Sequence, residues 1–384
     1  MRLTRLRARG WRNLWPLDLV FDPAIRLNVL FGDNAQGKTN VLEAVYYLAA
    51  FRSFRTSQAA DLVQVGAEEA RVLVEVETSA VVRAIEARLS KGGDRSSRSL
   101  VGRTVLVDGK PARGLRAAFG ALSVVLFVPE DLLLVRAPPA VRRRFLDLAV
   151  AGVNRTYFDE ASAFQKVLSS RNALLRSSRG ATFALLLDTY DEQLARFGAR
   201  VVMRRRELVR GLGPRVSALF RALHSDLAVE LEYRSAESIS AAEAELDVAA
   251  ALVRGLRERR SADGRRGHTT FGPQTDDLEV RLGGRPAREH ASQAQLRSIV
   301  LALKLAELVN LEAAVGEMPV LLLDDVPSEL DATRRGYLFE ALGGLECQTI
   351  VTVADRSVVP PGAGRGDFSV EGGRVRPVGL AGSP

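Results

Sequence analysis

Eight consecutive residues, Gly32-Asp33-Asn34-Ala35-Gln36-Gly37-Lys38-Thr39, carry the first chemistry legible in the chain. They satisfy the pattern G-x-x-x-x-G-K-[ST] at every required position. The two glycines let the backbone curl so that successive N–H groups converge on an anion. Lys38 is placed to neutralise β- and γ-phosphates, the Thr39 hydroxyl to enter the shell of a Mg²⁺ ion, and Asn40 to extend the site into the next turn. Far downstream, the apolar run Val320-Leu321-Leu322-Leu323 ends in Asp324-Asp325. Asp324 is expected to serve Mg²⁺ and Asp325 to position the attacking water, which makes Asp325 and Lys38 the catalytic candidates. Neighbouring residues of a strand face opposite sides, so the two acids are not expected to share one task. A third stretch, Ser292-Gln293-Ala294-Gln295-Leu296-Arg297, opens an apolar helix. Its hydroxyl, free N–H groups and helix dipole suit a phosphate, with Ser292 and Gln295 as ligands, but Ser292 is equally a good N-cap.

These residues need elements to hold them. An apolar strand, residues 25–31, leads into the glycine loop, and from Thr39 onward Val41, Leu42, Val45 and Leu48 recur on one helical face. Strand patterning covers the first thirty residues, 71–90, 103–107 and 123–128, with a Gly/Ser/Arg loop at 91–99. From about Arg142 to Arg260 the texture is helical, with Pro214 the only proline. After a Gly-rich break at 264–272 come a helix over 295–315, a strand over 320–324, a helix over 332–342, a strand over 348–353 and a Gly/Pro-rich tail. The layout predicts an α/β domain in two sequence halves, 1–141 and 268–384, interrupted by a mostly helical insertion, 142–267.

The chain has 384 residues with 54 Lys+Arg against 46 Asp+Glu, a net charge of +8. Only five of the cations are lysine, leaving 49 arginines. A basic excess points to an anionic partner such as nucleic acid, and GC-rich coding explains it equally well. One cysteine, Cys347, excludes an internal disulfide framework and a Cys-based zinc site. No apolar run is long enough to cross a membrane, so a cytoplasmic place is expected.

The combination of glycine loop, Ser-led helix start, Asp324-Asp325 and Ser328-Glu329-Leu330-Asp331 resembles the ABC-type ATPases of DNA maintenance. Within that group the chain is similar to the RecF family of bacterial recombination mediators. The similar stretches are Gly10-Trp11-Arg12-Asn13-Leu14, Gly32 to Leu48, Arg52-Ser53-Phe54-Arg55, Phe127 to Leu132, Arg142 to Asp147, Arg171-Asn172-Ala173-Leu174-Leu175, and Gly272-Pro273 with Asp276-Asp277-Leu278. The resemblance implies a Rad50/ABC-like P-loop ATPase head interrupted by a helical lid. It further implies two protomers closing head to tail on ATP, each ATP held by Gly32–Thr39 of one chain and capped by Ser292 of the other. DNA (double-stranded, gapped or junction) is the implied partner, with RecR and RecO as mediator proteins and a weak, DNA-stimulated ATPase. Ala294 stands where the signature carries glycine, Gln274-Thr275 where His-Arg is expected, and no histidine follows strand 348–353, where Thr352 or Asp355 could substitute. Those departures leave a non-hydrolysing, ATP-bound scaffold as the alternative function. The Arg142–Arg144 run is either a solvated helix face or a phosphate contact.

Overall fold

The computed structural model describes residues 1–91, 101–114, 118–154, 156–177, 182–224, 227–361 and 364–378. The loop expected at 91–99 therefore lies outside the described residues from 92 onward. The chain divides into two compact units, Met1–Asp131 with Leu311–Pro384, and Leu132–Asn310.

The first unit contains two six-stranded sheets. One is antiparallel, ordered β2-β1-β4-β5-β6-β7, from Leu17–Val20 (β2), Arg2–Arg9 (β1), Glu69–Glu77 (β4), Val82–Lys91 (β5), Val101–Val107 (β6) and Lys110–Pro111 (β7). The other is ordered β15-β14-β3-β13-β12-β8, from Arg374–Val378 (β15), Arg365–Glu371 (β14), Leu27–Phe31 (β3), Thr349–Val353 (β13), Val320–Asp324 (β12) and Val124–Phe127 (β8). All its pairings are parallel except β14 with β15. Its central strands β12 and β13 are buried along their whole length, as an apolar run in a covered parallel sheet requires.

Helix Lys38–Ala50 (α1) packs against β4 and β5 of the first sheet and β8, β12 and β13 of the second. The pattern had predicted one apolar face. Every residue from Val41 to Leu48 is in fact buried, because the helix is covered on both sides. The expected Gly/Pro-rich tail is instead the β14–β15 hairpin, and β14 extends the sheet beside β3.

The second unit holds the long helices Pro139–Val153 (α2), Tyr157–Arg176 (α3), Phe183–Leu223 (α4) and Glu245–Arg266 (α5). Helix α4 continues through Pro214. The unit is not purely helical: Val229–Arg234 (β9), Asp277–Leu282 (β10) and Arg285–Pro286 (β11) form an antiparallel sheet, ordered β11-β10-β9. That pairing explains why the compact unit runs over 132–310 and not over the expected 142–267. Strand β9 lies inside the insertion and β10 beyond it, and their ladder from Asp277↔Arg234 to Leu282↔Val229 ties the two together. Helix Gln293–Val315 (α6) begins in this unit, and Ala332–Gly343 (α7) follows in the first.

Candidate nucleotide-binding site

Strand β3 feeds residues 32–37 into the N-terminus of α1. Two glycines make the turn possible: Gly32 has φ +149° and Gly37, the N-cap of α1, φ +111°. Ala35 also lies in the left-handed region at φ +65°, which a side-chain-bearing residue adopts only where its surroundings impose it. The surroundings are the β14–β15 turn. There the Gly373 N–H donates to the Gln36 carbonyl at 2.9 Å and the Gly372 N–H to Gln36 Oε1 at 2.6 Å. No side chain caps α1, so its first N–H groups are left for an anion.

Lys38 is buried and spans the loop, its Nζ donating to the carbonyls of Gly32 at 2.6 Å and Asp33 at 2.8 Å. Burial pushes the Lys38 amine below its usual value, while Asp325, Asp324 and Asp33 act in the opposite direction. Thr39 Oγ1 donates to Asp324 Oδ1 at 2.8 Å. Burial raises the Asp324 carboxyl above the ordinary range, against the hydroxyl donors Thr352 and Thr39. Asp325 leaves the strand in the left-handed region, φ +55°, and its Oδ1 accepts from the Ser328 hydroxyl at 2.6 Å. The two carboxylates are thus set apart by a backbone reversal at Asp325 and not by strand alternation.

Lys38, Thr39, Asp324 and Asp325 are therefore gathered in one unit. Among the described residues no group of three or more His, Cys, Asp or Glu could hold a metal by itself. One buried carboxylate with one hydroxyl suits Mg²⁺, which takes few protein ligands and completes its shell with phosphate and water.

A second layer braces α1. Glu43, fully buried, is gripped by both arms of Arg12, Nε at 2.7 Å and Nη2 at 2.7 Å, and accepts from the Ser53 hydroxyl. Asn40 donates to Asn13 Oδ1 at 2.7 Å and accepts from Arg55 Nη1 at 2.8 Å. Roles for Arg12, Asn13, Glu43, Ser53 and Arg55 were missed. The signal available was a charged Glu43 in the midst of an apolar helical run.

Ser292 and Gln295 belong to the second unit. There they bond each other: the Gln295 N–H donates to Ser292 Oγ at 3.2 Å, and the Ser292 N–H to Gln295 Oε1 at 2.9 Å. This is a reciprocal capping box at the start of α6. The Arg142–Arg144 run is neither simple alternative. Arg142 is buried with both arms on Asp277, each at 2.7 Å, and Arg143 donates to the Asp276 carbonyl at 2.8 Å, leaving Arg144 exposed.

A glycine loop on a buried strand, a helix capped by that loop, and a carboxylate from the next strand but one, with β13 between, define a P-loop ATPase head. The chain belongs to the family described as the RecF/RecN/SMC N-terminal domain, whose profile matches residues 2–362. Within it, the chain belongs with the RecF DNA replication and repair proteins. It is 41% identical to that of Anaeromyxobacter sp. (strain Fw109-5), covering 98% of this chain and 100% of the relative. It is also 41% identical to that of Myxococcus xanthus, over 98% and 97%. A solved structure described as the recombination mediator protein RecF-ATPrS in the RecFOR pathway superposes with TM-score 0.88 at 30% identity, over 98% of each chain. An SMC head bound to the C-terminal winged-helix domain of ScpA shares the fold alone, with TM-score 0.55 at 15% identity. Among the described residues, no helix is long and apolar enough to cross a membrane.

Proposed function

We propose that this chain is an ATP-dependent DNA-binding clamp of recombinational repair and replication restart. The carrying observation is the pair Thr39–Asp324, 2.8 Å apart beside the Lys38 loop. That is where a nucleoside triphosphate would present its phosphates to the loop N–H groups and Lys38. Mg²⁺, held there by Thr39 and Asp324, supplies the charge that offsets the phosphates. Residues Gly32 to Asn40 cradle the triphosphate, and Asp325 positions water. Ser292 and Gln295 of a second protomer close the site, so ATP binds the dimer far better than the monomer and drives its formation. In this arrangement Met1–Asp131 with Leu311–Pro384 acts as the head, and Leu132–Asn310, which contains the expected insertion 142–267, as the lid. The relatives' names, DNA replication and repair protein, and the neighbours' RecFOR context support DNA, RecR and RecO as partners, and a cytoplasmic place belongs to the same reading.

The test is sedimentation and DNA retention with and without ATP and Mg²⁺. The wild-type chain is expected to dimerise and hold DNA with ATP. Lys38→Ala loses both, and Ser292→Arg binds ATP but stays monomeric. Unchanged dimerisation in Ser292→Arg, or unchanged ATP-stimulated DNA retention in Lys38→Ala, overturns the clamp. The capping box already satisfies Ser292 and Gln295, and this favours a second reading, an ATP-bound scaffold that does not hydrolyse. Single-turnover hydrolysis stimulated by DNA would eliminate it.

A further inference from the structure

Strand β13 delivers Thr352 directly opposite Asp324 in the parallel register, with the residue fully buried. Its hydroxyl makes two contacts of opposite sense. It donates to Asp324 Oδ1 at 2.8 Å and accepts from the Asp325 N–H at 3.0 Å. The Thr352 carbonyl accepts from the same N–H at 3.0 Å. A hydroxyl has one proton. With that proton committed to Asp324, only its lone pairs face Asp325, so the polarity of the bridge is fixed. Asp325 sits in the left-handed region, a conformation that persists only where neighbours over-determine it; the shared N–H bond to Thr352 is such a constraint.

Asp324 Oδ1 has a second donor, Thr39 Oγ1, also at 2.8 Å. In the proposed role toward Mg²⁺, Thr39 would offer an oxygen lone pair to the metal while its single proton stays on Asp324. Thr352, which belongs to a different strand and lies too deep to reach solvent, keeps its hold on that carboxylate.

We infer that Thr352 is the positioning residue of the metal end of the site: one hydroxyl orients Asp324 toward Mg²⁺ and ties down the backbone that carries Asp325. This rests on the ATP–Mg²⁺ reading above and deepens it. It also differs from replacing a histidine at the γ-phosphate, because the hydroxyl faces the two acids.

The experiment compares Thr352→Val, close in shape but without the hydroxyl, with Thr352→Ser, which restores it. Full-length protein is titrated with a fluorescent ATP analogue across a range of Mg²⁺ concentrations, alongside ATP turnover. The Mg²⁺ concentration for half-maximal binding should rise about 10- to 100-fold in Thr352→Val, the usual effect of removing a hydrogen bond to a metal-binding carboxylate. Binding of the metal-free nucleotide and the unfolding midpoint should hold, and Thr352→Ser should return to within about threefold of wild type. Wild-type Mg²⁺ dependence in Thr352→Val overturns the proposal. So does an equal loss of metal-free and Mg²⁺-dependent binding, which marks a general packing role. Failure of the underlying reading looks different, since the wild-type chain itself would then bind no ATP at any Mg²⁺ concentration.

Discussion

Removing the charge of Arg171 should destabilise the second unit more than almost any other single substitution there. Arg171 is fully buried, as are Asp191 and Asp263. Its Nε donates to Asp191 Oδ1 at 2.6 Å, and its Nη1 to Asp263 Oδ2 and Thr269 Oγ1, both at 2.8 Å. Arg171→Met keeps an unbranched stem and deletes the guanidinium, and the two carboxylates fare differently. Asp191 keeps Arg260, whose Nη2 lies 2.7 Å from Oδ2. Asp263 keeps the neutral N–H and hydroxyl of Thr270, at 3.0 and 2.7 Å, and loses its counter-ion. Breaking a buried pair in this way costs about 3–5 kcal/mol. At about 2–4 °C per kcal/mol for a unit of this size, the midpoint falls by roughly 6–20 °C. Thermal unfolding with hydrogen exchange on α3, α4 and α5 reads the effect. Adding Asp263→Asn should recover a large part of the loss, because an amide oxygen still accepts from Thr270 and strands no charge. A loss under about 1 kcal/mol for Arg171→Met, or no recovery in the double variant, would refute the reasoning.

Five further substitutions test the site and the second unit. A Cβ added at Gly32 would stand 2.2 Å from the backbone oxygen of Val370, so Gly32→Ala should break the β3–β14 ladder and lower the urea midpoint of the first unit. At Gly37 the Cβ would meet the side-chain oxygen of Asn13 at 2.9 Å, which can move; Gly37→Ala should therefore fold and bind ATP about tenfold more weakly, as about 1–2 kcal/mol of backbone strain requires. The buried Asp276 carboxyl is raised to about 6 from 3.8, chiefly by desolvation. A raised carboxyl means the folded state binds more protons, so this contribution is full below about pH 4 and is lost as pH rises through about 6, roughly 3 kcal/mol in all. Urea unfolding at both ends of that window should show the slope in wild type and a flatter one in Asp276→Asn. Arg142→Ala should cost several kcal/mol of stability, since it strands Asp277, whereas exposed Arg144→Ala should stay within about 0.5 kcal/mol.

What was legible in the sequence was what is local. The glycine loop, the acid-terminated strand and the helices 293–315 and 332–343 each announce themselves through spacing within a dozen residues. The elements that escaped are defined by distant partners. Val229–Arg234 and Asp277–Leu282 alternate, but their outward positions are charged and neither strand is stable without the other, 43 residues away at Asp277↔Arg234. Strand β14 lies in a tail whose glycines and prolines read as loop; its place is set by pairing with β3 from Arg365↔Leu27 onward. The nucleotide site divides in the same way. Lys38 and Thr39 belong to a contiguous motif, whereas Glu43 acquires its meaning from Arg12 and Ser53, and Thr352 from strand register.

The arginine excess invites an outward-looking explanation that the structure redirects. Arg12, Arg142 and Arg171 lie in the family-like stretches and Arg205 bonds to one of them at Asp147; each is bonded to a carboxylate, three of them as buried residues. Guanidinium suits this duty better than ammonium, because its planar fork meets a carboxylate with two bonds and it is more weakly hydrated. Arginine in these positions would persist whatever the chain bound. An interior arginine paired with an aspartate adds nothing to the field that a polyanion feels, so the +8 excess must be expressed by the exposed remainder. Net charge therefore bears on how steeply the proposed DNA binding would fall with salt, and the proposal of DNA as partner rests on the nucleotide site and on kinship.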